Sequence, residues 1–144
     1  MVIALDIHPA DATDRASLTS HGWQVVDPKG AAADPLAFRR YVQDSAAEFS
    51  VAQGVYVETN CGWFSDRTVR YLASGKPALV QDTGFSRNLP TGLGLIPFST
   101  MEEAVLGAAD IAGNYAKHCS AARGIAESHF DSCVVLSRLL GEVS

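Results

Sequence analysis

Two short groups of residues in this chain have the types and spacing that recognition of a phosphate or a hydroxylated ligand needs. Ser65-Asp66-Arg67 reads as a helix start. Ser65 can accept the free backbone N–H groups of the first turn, and Asp66 adds a negative charge at the positive end of the helix dipole. Backbone N–H groups at such a terminus aim at anions, and Arg67 offers a planar fork for their oxygens. The plainer reading is that Ser65 only caps, Arg67 is solvated and Asp66 already fills the positive end. Asp82-Thr83-Gly84 forms the second group, able to hold ribose or sugar hydroxyls where Gly84 lets backbone approach closely. Equally, Asp82 and Thr83 can bond within their own turn while Gly84 only supplies a positive φ.

The remaining chemical side chains are dispersed. His8, His21, His118 and His129 show no metal-ligand spacing with a carboxylate, so each reads as a surface or half-buried histidine. His8 alone follows an expected strand, where a general base can sit. Glu48, ahead of Phe49 and Ser50, can project into a cleft, but a lone carboxylate is more simply structural. Ser65 lacks the flanks of a nucleophile elbow, so no Ser-His-Asp order emerges and no residue is assigned as catalytic. Trp23 and Trp63 read as core or site-wall aromatics; Trp63 beside Gly62 can line a base or sugar, with packing the simpler role. Lys76 reads as solvated.

Elements that position these groups are legible around them. From Cys61 to Gly84 the chain reads as a loop, a helix with the apolar stripe Val69, Leu72 and Ala73, a stop at Gly75 and Pro77, and a strand Ala78 to Val80. The strand carries no polar residue before Gln81, which implies burial on both faces, as in a parallel sheet. Upstream, Val2 to Leu5 reads as a strand with its exit at Asp6 to Pro9. Asp11 or Thr13 caps a helix through Leu18, and Gly22 closes it before a strand Trp23 to Val26. Asp27 to Gly30 reads as a turn, then Asp34 and Pro35 open a helix with Leu36, Phe38, Tyr41 and Val42 inward. Ala47 to Val51 and Val55 to Thr59 are both strand-like, with Gly54 a bulge or turn between them.

Downstream, Phe85 to Gly92 reads as a loop and Leu95 to Phe98 as a short strand near an edge, where Pro97 is tolerated. Ser99 or Thr100 with Glu102 or Glu103 forms a capping box. The helix it opens carries the stripe Met101, Ala104, Val105, Ala108, Ile111, Ala112 and Tyr115. A further helical stretch covers Ala116 to Phe130, and Asp131 or Ser132 caps a last helix with Val135, Leu136, Leu139 and Leu140. Alternating strands and helices define the expected class: α/β, a single Rossmann-like domain with a three-layer parallel sheet, helices on both faces and a C-terminal helical tail.

GWFSDRTVRYLASGKPALVQDTGF, with FRRYVQDSAAEFSV before it and GLGLIPFSTMEEAVLGAADI after it, resembles the C-terminal, donor-binding half of GT-B glycosyltransferases. More narrowly, it is similar to a group of bacterial glycosyltransferase-like proteins. The likeness extends over about residues 20–140. It implies that Gly62, Trp63, Ser65, Asp66, Arg67, Asp82, Thr83 and Gly84 hold the diphosphate and sugar of a nucleotide-sugar donor, with no metal and no cofactor. It also implies that Glu48 to Ser50 lie on a strand and that Val55 to Asn60 form an irregular segment. Gly62 and Arg70 stand about where many retaining members carry glutamates, and the acceptor-binding half is missing. Two functions follow. One is a donor-binding domain that does not transfer glycosyl groups alone and needs a separate acceptor-binding chain, or is a fragment of a longer enzyme. The other is a non-catalytic interaction module, acting as a homodimer.

Composition narrows the partners. At 144 residues, with 47% hydrophobic and 19% charged residues, the chain can bury a core. Its net charge of −5 and lack of a basic run argue against nucleic acid, whose phosphates need clustered Lys and Arg. The apolar run Val2 to Leu5 is too short for a signal peptide or a membrane span. Cys61, Cys119 and Cys133 are odd in number and fit no zinc spacing, which suggests reduced thiols in a cytoplasm.

Overall fold

A computed structural model describes residues 1–8 and 11–142, so Pro9, expected in the exit from the first strand, lies outside the described residues. The chain is α/β with parallel strands throughout. It divides into two compact units, Met1–Asp44 and Ser45–Ser144, and the described strands form one sheet in each.

In the first unit β1 (Val2–Ala4) pairs with β2 (Gln24–Val26), Val2 opposite Gln24 and Ala4 opposite Val26. Between them α1 (Ala12–Ser20) begins at Asp11, which occupies the cap position without a side-chain capping bond, and Gly22 turns the chain at φ +81. The expected turn at Asp27 to Gly30 is a one-turn helix, α2 (Pro28–Ala31). Asp27 accepts the Lys29 N–H at 2.9 Å, and Pro28 presets the helical φ. α3 (Pro35–Asp44) starts as read, with Asp34 Oδ1 accepting the N–H groups of Leu36 and Ala37, both at 2.8 Å. Val42 is buried and Phe38 and Tyr41 are half-buried, but Leu36 is exposed, its first-turn side chain leaning back toward the helix start.

The second unit carries the three-layer arrangement. Its sheet runs β3 (Glu48–Ser50), β4 (Ala78–Gln81), β5 (Leu95–Phe98), with β4 central. The register aligns Glu48 with Ala78 and Leu95, Phe49 with Leu79 and Ile96, and Ser50 with Val80 and Pro97. Side chains alternate across a strand, so β4 feeds two cores. Ala78 and Val80 meet Leu72 of α5 (Asp66–Ala73), Phe85, and Ala122 and Ile125 of α7 (Tyr115–Ile125). Leu79 and Phe98 meet Ala104 and Ile111 of α6 (Met101–Gly113) on the other side. Pro97 sits on an edge strand, where its missing N–H breaks no ladder.

Several helices differ from their reading. Val55 to Thr59 is neither strand nor irregular: it belongs to α4 (Gly54–Thr59). Among the described residues no strand pairs with it, Thr59 donates back to the Val55 carbonyl at 2.6 Å, and Asn60 closes the helix at φ +50. α5 buries Thr68, Tyr71 and Leu72; Val69 is half-buried and Ala73 exposed. α6 keeps the expected Thr100–Glu103 capping box, but its buried seam is Ala104, Gly107 and Ile111, and Met101, Val105, Ala108, Ala112 and Tyr115 of the expected stripe are exposed. The small residues decide the rotation: a Cβ on Gly107 would stand 2.7 Å from Leu79 Cδ1, so the glycine lets the helix pack close against the sheet there.

After α7 the helix widens into a π turn, Ala126–Phe130, and Asp131 rather than Ser132 caps α8 (Ser132–Glu142), accepting the Cys133 N–H at 2.9 Å. α8 buries none of its residues, leaving Val135, Leu136, Leu139 and Leu140 exposed. His118 is fully buried rather than at the surface or half-buried. Its Nδ1 accepts the Gly94 N–H at 3.1 Å, while its Nε2 faces Asp110 Oδ2 at 3.2 Å outside hydrogen-bond geometry. Among the described residues no helix is long and apolar enough to cross a membrane.

Candidate ligand-binding site

The stretch around α5 forms locally as its residues dictate. Ser65 is the N-cap, its hydroxyl accepting the Arg67 N–H at 3.2 Å. At the other end Gly75 adopts φ +66, and the N–H groups of Gly75 and Lys76 return to the carbonyls of Leu72 and Tyr71 at 2.9 Å each. That closure leaves Lys76 half-buried rather than fully solvated.

Two glycine loops meet at the carboxyl end of β4. The Gly62 N–H donates to the Thr83 carbonyl at 2.7 Å, and the Thr83 hydroxyl donates to the Trp63 carbonyl at 2.5 Å. Asp82 organises its own turn, one oxygen accepting the Gly84 N–H at 2.8 Å and the other the Ser86 hydroxyl at 2.5 Å. Gly84 has φ +97, which favours glycine, and a Cβ there would displace the ends of the Asn60 and Arg87 side chains and lie 3.0 Å from the Asn60 carbonyl oxygen. Gly62, Trp63, Asp82, Thr83 and Gly84 are thereby held together. The side chains of Asp82 and Thr83 and the N–H groups of Gly62 and Gly84 are engaged within the loops, and Thr83 and Gly84 are buried, which leaves Trp63 as the exposed residue of the five. Trp63 is 39% exposed and stacks on Tyr56, ring centroids 4.8 Å apart and planes within 9°.

Ser65, Asp66 and Arg67 divide between two environments. Asp66 lies on the exposed side of α5 and pairs with Arg70 at 2.7 Å, one helical turn on. Arg67 turns toward the sheet: its Nε donates to Glu48 Oε1 at 2.6 Å and an Nη to the Ser50 hydroxyl at 2.8 Å. The side chain of Arg67 remains 50% exposed while that of Glu48 is 4% exposed, so the guanidinium bridges a buried carboxylate and the solvent. Arg67 is thus neither solvated alone nor aimed only outward.

Sequence reasoning missed Asn60 and Arg87. The Arg87 guanidinium reaches the Asn60 carbonyl at 3.5 Å and covers Gly84, placing a cation at the junction of the two loops. Its signal was an arginine three residues beyond a strand-end glycine. His8 belongs to the first unit, and among the described residues no group of His, Cys, Asp and Glu gathers as a metal site. Comparison of the chain with protein-family models, with curated proteins and with solved structures finds no match in any of the three.

Proposed function

We propose that the unit Ser45–Ser144 binds a nucleotide diphosphate or nucleotide-sugar donor in the manner of a GT-B C-terminal half. The observation that carries this is the Gly62 N–H to Thr83 carbonyl tie, which brings two glycine loops together at the carboxyl end of a parallel strand. Arg87 and Arg67 supply guanidinium groups, and Trp63 offers an aromatic face beside the half-buried Gly62. Transfer is not expected of this chain alone, because an acceptor held opposite the donor belongs to a second half. Calorimetric titration with UDP, GDP, ADP and their sugar conjugates tests the reading. Micromolar to millimolar binding that weakens in Arg87→Ala supports it, and a folded chain that binds none of them overturns it.

A second reading, that of an interaction module, is favoured by one specific observation. α6 exposes Met101, Val105 and Leu106 at 62–74%, and α8 exposes Leu136, Leu139 and Leu140 at 54–62%. Apolar surface of this kind favours association. Concentration-dependent sedimentation that disappears in Leu139→Asp, together with absent nucleotide binding, supports this reading over the first.

A further inference from the structure

A parallel strand facing a helical layer ordinarily carries apolar side chains, yet β3 presents Glu48 and Ser50 there. Their register with Ala78 and Val80 turns both toward the side that α5 covers, and they are only 5% and 4% exposed. Phe49, between them, faces the other way and stacks on Phe98. This polar pair costs core burial, and Arg67 is the residue that answers it.

The form of that contact is informative. Arg–carboxylate pairs frequently close as two parallel bonds onto both oxygens. Here the fork is divided, Nε to Glu48 Oε1 at 2.6 Å and an Nη to Ser50 at 2.8 Å, and Glu48 Oε2 is buried with no hydrogen-bond partner. A buried carboxylate oxygen without a donor is destabilising. What the division achieves is orientation: anchoring at two nitrogens fixes the guanidinium plane. Three of the five N–H donors are outside these two bonds, on a side chain that stays 50% exposed.

We infer that Glu48 and Ser50 are positioning residues that hold Arg67 as a preset anion-binding group, with a diphosphate as its ligand. The inference rests on the nucleotide-diphosphate reading of the same site. Glu48 makes the direction of the test sharp, because a carboxylate near an anion repels it. Were Glu48 merely present, removing it would tighten anion binding; as a positioning residue, its removal weakens binding.

The experiment is calorimetric titration of the intact chain with inorganic pyrophosphate alone. Circular dichroism and thermal melting establish that each variant is folded. Arg67→Ala is expected to lose at least about tenfold in affinity, and Arg67→Lys, a point charge without the fork, about fivefold. Glu48→Ala is expected to weaken binding about tenfold although it removes a negative charge, while Glu48→Gln, whose amide oxygen still accepts from Nε, recovers to within about threefold. Unchanged or tighter binding in Glu48→Ala, unchanged binding in Arg67→Ala, or no pyrophosphate binding by the wild-type chain overturns the inference. If Glu48→Ala does not fold, Ser50→Ala decides: about threefold weaker binding supports it and unchanged binding overturns it. Nucleotide-sugar binding that survives undiminished in Arg67→Ala removes this inference and leaves the donor reading standing. Pyrophosphate binding that follows Arg67 and Glu48 without any nucleotide preference removes the donor reading alone.

Discussion

The hydroxyl of Thr83 donates to the backbone carbonyl of Trp63, 20 residues earlier in the chain, and Thr83 is 1% exposed. One buried side chain therefore joins the loop after β4 to the loop that enters α5. Thr83→Val keeps the shape and removes the donor, leaving the Trp63 carbonyl short of a partner. The expected loss is about 1–3 kcal/mol in urea unfolding and, under the proposed donor-binding function, weaker nucleotide binding because the loops separate. Unchanged stability and affinity would show that the tie contributes nothing.

Gly84 tests backbone rather than side chain. At φ +97, with Asn60 and Arg87 in the way of any Cβ, Gly84→Ala is expected to destabilise by more than about 1 kcal/mol. Gly113→Ala, in the helix α6 with nothing near its Cβ, is the control and is expected to be neutral or slightly stabilising. Equal midpoints for the two variants would contradict the assigned loop geometry.

The two sides of the helices are expected to separate in the same way. Leu72 is fully buried between α5 and the sheet, so Leu72→Ala should cost about 2–5 kcal/mol. Met101→Ala, at a residue 74% exposed, should stay within about 0.5 kcal/mol of wild type. Denaturant midpoints measure both, and a large loss at Met101 would restore the stripe first read for α6.

What could be read from the residues alone was what neighbours in the chain determine. The Ser65 and Asp34 caps, the Thr100–Glu103 box and the Gly75 stop each involve groups within a few positions, so their chemistry is visible locally. Val55 to Thr59 misled because β-branched and aromatic residues fit a pleated surface, and only the absence of an adjoining strand makes them helical. The rotation of α6 was hidden because it depends on where Leu79 and Ile96 lie, and Gly107 marks close approach only once the sheet is known. The Glu48–Arg67 pair spans 19 residues and two elements, and nothing in either segment announces the other. Of the eight expected site residues, five meet through the loop tie, Ser65 caps the helix at the Arg67 N–H, Arg67 turns to β3, and Asp66 faces outward to Arg70.

Tyr115 gives a pH dependence with a definite sign. Its hydroxyl donates to the Ala46 carbonyl at 2.8 Å, and the partial burial of this otherwise exposed side chain, followed by the neighbouring Cys119, pushes its phenol up from the ordinary 10.0. The fold thus favours the neutral phenol. Its contribution is complete below the unfolded value and is lost as pH rises through the higher folded one. The stability gap between wild type and Tyr115→Phe is expected to be constant near neutrality and to narrow above about pH 10. Urea midpoints across that range check it, and a gap that widens with alkali would reverse the assignment.

The last helix has a consequence for how the molecule opens. α8 hangs from a π turn and a single Asp131 cap, and no side chain along it enters a core. Its backbone hydrogen bonds are guarded only by the helix itself, so they break without disturbing β4 or α7. Amide deuterium should enter Ser132–Glu142 orders of magnitude sooner than Ala78–Gln81, and a protease should trim this end first, leaving a shortened chain that melts with the cooperativity of the whole.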